Sequence, residues 1–160
     1  MTHALVLLLA LLIGVVAGLR SLTAPAVVAW AAFLGWINVN ATWASWMANI
    51  IAVIAFTVLA VGEVITDKLP KTPARTAVPS FTARIIMGGF SGAVIGAAWH
   101  WTFTALGAGV IGAVLGTLGG YHARKGLVAA IRGRDLPIAL LEDAIAILGG
   151  FAILAATANL

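Results

Sequence analysis

The chain has 160 residues, 62% of them hydrophobic and only 9% charged. A soluble domain carries about 25% charged residues, so this chain cannot cover its own surface for water, and lipid must supply the missing solvent. Nine Lys and Arg against five Asp and Glu would suggest nucleic acid in a soluble protein. Here they cluster between apolar runs, where the positive-inside rule is the better reading. The longest polar segment, Asp67–Arg84, is short and proline-rich, leaving no room for a soluble enzyme or a nucleic-acid-binding domain. The absence of cysteine excludes thiolate metal sites, disulfides and cysteine nucleophiles.

Apolar runs occur at Ala4–Leu19, Ala24–Ile37, Met47–Thr66, Ile85–Trp99, Ala105–Tyr121 and Leu136–Ala158. Residues 1–19 lack a basic leading segment and Arg20 follows the apolar stretch, which argues against a cleaved signal peptide. The third and sixth runs reach the ~20 residues that cross ~30 Å of hydrocarbon; the others are shorter and imply thinning or burial against neighbours. The stretch from Ala4 to Ile37 is too long for one crossing at ~1.5 Å per residue, and each half is short.

The charges favour two halves. If the chain turns at RSLTAP (Arg20 to Pro25), every Lys and Arg falls on one face of a six-span protein. Arg20 lies in the first turn, Lys68, Lys71, Arg75 and Arg84 in the second, and Arg124, Lys125, Arg132 and Arg134 in the third. The opposite loops, INVNATWASW and HWTFTALG, carry no charge and hold Trp36, Trp43, Trp46, Trp99 and Trp101, as an interfacial belt should. A five-span arrangement would strand Arg20 within the membrane. The expected fold is thus an all-α integral membrane protein: a single domain, a compact bundle of about six short transmembrane helices arranged as three helical hairpins (4–37, 47–99 and 105–158). Each hairpin turns at the basic face on a segment closed by Pro25, Pro79 or Pro137. Stripes of small residues, Gly88, Gly92 and Gly96 in one span and Ala108, Gly112, Gly116 and Gly120 in the next, predict close helix packing, and so short a bundle suggests homo-oligomerisation.

Four acids stand out. Glu63 and Asp67 share a helix face near the basic end of the third span, and Glu142 and Asp143 sit within the first turns of the sixth. A carboxylate at the bilayer centre costs roughly 2.5–3.5 kcal/mol on insertion scales. Adjacent residues diverge by ~100° around a helix, so Glu142 and Asp143 need different partners. Asp67, at a helix C-terminus, opposes the macrodipole and needs compensation. Available cations are Arg20, Lys68, Arg84, Lys125 and Arg132, with His122 near them. Structural ion pairing explains Glu63 and Glu142 as readily as a binding site does. Lys71, Arg75, Arg124 and Arg134 are read as topology and headgroup residues, and His100 as part of the aromatic belt.

The order of GLRSLTAP, GEVITDKLPKTP with a following Arg84, HARKGLVAAIR and LLEDAIA resembles the bacterial membrane-protein family described as domain of unknown function 4126. The pattern falls on Arg20, Pro25, Glu63, Asp67, Lys68, Pro70, His122, Lys125, Arg132, Glu142 and Asp143. The resemblance implies a small multi-pass protein of the bacterial inner membrane, with its basic loops cytoplasmic, and no particular activity. The candidate binding residues are therefore Arg20, Glu63, Asp67, Lys68, Arg84, His122, Lys125, Arg132, Glu142 and Asp143. The expected function is a small transporter or channel for an ion or small anionic solute. The alternatives are a lipid-phosphate-binding enzyme or carrier, or a non-catalytic subunit of a membrane complex. The expected partners are the lipid bilayer, anionic headgroups or a small anionic solute, and further copies of the chain. No nucleic acid, metal or cofactor is implied.

Overall fold

The computed structural model describes residues 1–160 and contains six α-helices and no strand: α1 (His3–Leu19), α2 (Thr23–Phe33), α3 (Ile50–Thr66), α4 (Val78–Ala97), α5 (Thr102–Ala130) and α6 (Asp135–Ala155). One helix answers each apolar run. Three segments are long and apolar enough to cross a membrane: α4, α5, and α6 with the short 3₁₀ turn that follows it to Asn159. The other three are apolar but only 11–17 residues long, so length and composition alone support three spans where the apolar runs suggested six.

The helix limits have local causes. Pro25, Pro79 and Pro137 all lie in the first turn of a helix, where the missing N–H costs nothing, so proline opens each returning helix here. α2 stops at Phe33, short of Ile37, because Gly35 adopts φ +77°. α4 begins seven residues before Ile85, and α5 runs nine residues past Tyr121. Charged residues interrupt the apolar pattern at Arg84 and from His122 onward, but backbone hydrogen bonding continues through them.

Packing concentrates on α1, α4 and α5. Their small residues meet one another. A Cβ on Gly112 would overlap the Leu11 carbonyl oxygen, and one on Gly92 would overlap that of Ala105. Backbone-to-backbone contact of this kind lets dispersion replace the missing hydrophobic drive between helices in lipid. The stripes on α4 and α5 are thus used within the chain. The pairs of the three expected hairpins (α1 with α2, α3 with α4, α5 with α6) share less surface than α1, α4 and α5 share with one another.

The register fixes direction. Gly14 faces Gly109 and Gly18 faces Gly116, so α1 and α5 run parallel. Gly88 faces Ala113 and Gly96 faces Trp101, so α4 runs antiparallel to both. The segment between α2 and α3 folds back onto the bundle and buries Ile37, Val39, Ala44 and Met47. Near it, Trp43 and Trp46 pack on Phe90, and Trp46 also meets Phe56.

Candidate functional site

The turn between α1 and α2 (Arg20, Ser21 and Leu22) is the centre of the charged end. A helix leaves carbonyls unpaired at its C-terminus and amides unpaired at its N-terminus; here α1 ends and α2 begins within three residues. Arg84 on α4 donates from Nη1 to the carbonyls of Gly18 (2.8 Å) and Leu19 (2.7 Å). Glu63 on α3 accepts from the Ser21 amide (2.8 Å), the Ser21 hydroxyl (2.7 Å) and the Leu22 amide (2.8 Å). A cation therefore meets the negative end of one macrodipole and an anion the positive end of the next. Glu63 is held by backbone and hydroxyl donors and makes no ion pair.

Arg20 is fully buried. Its guanidinium pairs with Asp67, and its Nη2 lies 2.5 Å from Asp143. Asp143 is shared with Lys68 at 2.6 Å, and Lys68 also donates to the Val64 carbonyl. Asp67, the C-cap of α3, thus has the compensating cation its position demands, with Arg84 at 4.0 Å as a second. As the ~100° divergence requires, Glu142 turns to other partners: Arg75 at 2.5 Å and Arg124 at 3.4 Å. Arg124 also grips Asp135 with two donors, at 2.9 and 2.6 Å.

Ion pairs join four of the five carboxylates (Asp67, Asp135, Glu142 and Asp143) to five of the nine cations (Arg20, Lys68, Arg75, Arg84 and Arg124). Glu63, bound to the turn that Arg20 opens, completes the cluster as its fifth anion. The cluster is internally neutral. The net charge of +4 is therefore carried by Lys71, Lys125, Arg132 and Arg134, all exposed.

Of the residues singled out by sequence, Arg20, Glu63, Asp67, Lys68, Arg84, Glu142 and Asp143 are brought together. His122 is exposed against Tyr121, and Arg132 is exposed in the α5–α6 turn at φ +62°; neither touches the network. Lys125 is exposed and stands beside it. Arg75 and Arg124, read from sequence as headgroup residues, instead hold Glu142: the loop after α3 carries Arg75 back over the bundle end, and the extension of α5 past Tyr121 carries Arg124. Asp135 is a member that the sequence pattern does not mark. A charge count could have pointed to the two arginines: with Arg20 and Lys68 committed to Asp67 and Asp143, Glu142 still requires a cation.

Beside the network lies a cavity of about 370 Å³. Arg75, Arg84, Arg124 and Lys125 line it, with Asp67 and Asp135 as its only carboxylates. Leu69, Pro73, Val128 and Tyr121 form much of the remaining wall. Two environments therefore adjoin: a buried, mutually paired clasp around Arg20, and a hollow in which cations outnumber anions. No group of His, Asp and Glu residues is arranged to hold a metal ion. No protein-family model matches the chain, nor does any curated protein or solved structure.

Proposed function

We propose that this chain is a multi-span protein of the bacterial inner membrane, with all six helices in the bilayer and its basic end cytoplasmic, and that it passes a small anionic solute. The alternating register supports six crossings: α1 and α5 parallel, α4 against them, and α2 antiparallel to α3 through Trp30–Thr57 and Ser21–Glu63. Short helices can be accommodated by local thinning of the bilayer, and the apolar outer faces of α3, α5 and α6, with Ile54, Val58, Leu115 and Leu148 exposed, suit lipid. The basic segments give the orientation. The family resemblance points the same way.

The observation that carries the functional reading is the cavity, lined by Arg75, Arg84, Arg124 and Lys125 with two carboxylates, where Lys125 belongs to no ion pair. Ionisable residues at this depth mark solute and ion paths in membrane proteins. The neutral clasp holds α1, α3 and α6 around it and serves as framework. Anion efflux from proteoliposomes tests the reading. Wild-type protein is expected to exceed protein-free vesicles, and Lys125→Glu, which reverses a charge outside the clasp, to reduce the rate. Efflux at the protein-free level would remove transport from the account.

A further inference from the structure

The cavity at the charged end has features that favour one class of anion. Resting on the anion-site reading above, we propose that it takes a phosphate monoester bearing a small organic group.

Charge is the first argument. Four cations and two carboxylates line the cavity; Arg75 and Arg124 also face Glu142, so the surplus positive charge belongs to Lys125, the one lining cation outside the neutral network. That surplus sets the sign of the ligand, and the donors and the size of the hollow select the kind of anion.

Donor chemistry is the second. Most polar groups here are committed: Arg124 to Asp135 and Glu142, Arg84 to the end of α1. Three residues of the lining keep donors without an acceptor. Arg75 is held through Nη2 by Glu142, while its Nη1 has no hydrogen-bond partner. Lys125 belongs to no ion pair, and the Tyr121 hydroxyl makes no hydrogen bond within the chain. A guanidinium, an ammonium and a phenol suit the three acceptor oxygens of a monoester phosphate.

Size is the third. Pockets for organic ligands begin at about 300 Å³, and this one measures about 370 Å³, more than a bare inorganic ion would fill. The apolar side chains of Leu69, Pro73 and Val128 and the Tyr121 ring offer cover for an organic moiety.

Two sources share this chemistry: a soluble phosphorylated solute and a membrane lipid ending in a monoester phosphate. Purified full-length protein separates them by thermal stabilisation. Glycerol 1-phosphate, dimethyl phosphate and acetate form the soluble series, and nanodiscs of phosphatidic acid or phosphatidylglycerol form the lipid series. Stabilisation by glycerol 1-phosphate well beyond dimethyl phosphate and acetate assigns a soluble ligand; stabilisation confined to phosphatidic acid over phosphatidylglycerol assigns the lipid. Either result, weakened about tenfold or more in Lys125→Gln and unchanged in Arg132→Gln, supports the proposal. Equal response to monoester, diester and acetate overturns it and leaves the anion-site reading standing, whereas no response to any anion overturns both. Lys125 is exposed and outside the clasp, so its variant folds.

Discussion

Glu63 and Arg84 hold the same turn from opposite sides. Arg84 takes the last carbonyls of α1, and Glu63 takes the first amides before α2. A reversal of chain direction inside the protein exposes backbone groups that need partners. Two side chains from other helices supply the partners, which ties α3 and α4 to the α1–α2 turn.

Glu63 offers acceptors to three donors. Glu63→Gln leaves one acceptor oxygen and brings an NH₂ group toward N–H groups. The expected loss is about 1–3 kcal/mol for the groups left unsatisfied, read from thermal unfolding in detergent. Unfolding unchanged from wild type would mean that Glu63 does not bind the turn.

Arg20 and Arg124 make ion pairs of different worth. The Arg20 side chain is 1% exposed, whereas Arg124 and its partner Asp135 are 22% and 58% exposed. Removing one member of a buried pair leaves an uncompensated charge, so Arg20→Leu should cost about 3–5 kcal/mol. Breaking the exposed pair by Asp135→Asn should cost about 0–1 kcal/mol. Equal losses on urea or thermal unfolding would contradict the burial assigned to the clasp.

Arg20 and Asp143 should also couple. Because they share one network, Arg20→Leu and Asp143→Asn together should depart from the sum of the single effects by about 0.5–3 kcal/mol. A double-mutant cycle that closes additively would separate the two residues.

The glycines differ by position in a way that stability can read. Gly112 faces the α1 backbone, whereas a methyl group added at Gly119 would meet nothing within 4 Å. Gly112→Ala should destabilise by about 1–3 kcal/mol through overpacking. Gly119→Ala should be neutral or gain up to about 1 kcal/mol from helix propensity. Parallel melting curves of the two variants check the packing of α1 on α5.

Much of this was legible in the chain. The apolar runs gave all six helices, and the gathering of Arg20, Glu63, Asp67, Lys68, Arg84, Glu142 and Asp143 followed from their positions at one end. The compensation of Asp67 and the separate partners of Glu142 and Asp143 followed from the macrodipole and the helical angle. What was illegible has identifiable causes. Glu63 binds backbone amides, which nearly every residue carries and no sequence pattern marks. Arg75 reaches Glu142 only because its loop folds back, so its sequence neighbours give no hint of burial. His122 and Arg132 have the right chemistry and fall nearby in sequence, but they face away from the network.

Topology is the claim on which the proposed function depends, and the chain lacks cysteine, so single cysteines can be introduced without background. Ala4→Cys, Asn40→Cys, His100→Cys, Lys71→Cys and Arg134→Cys, all at exposed positions, would be treated in intact cells with a membrane-impermeant maleimide. The six-span account predicts labelling at 4, 40 and 100, and protection at 71 and 134 until the membrane is opened. Position 4 protected while 40 is labelled, or 71 labelled together with 40, would contradict it.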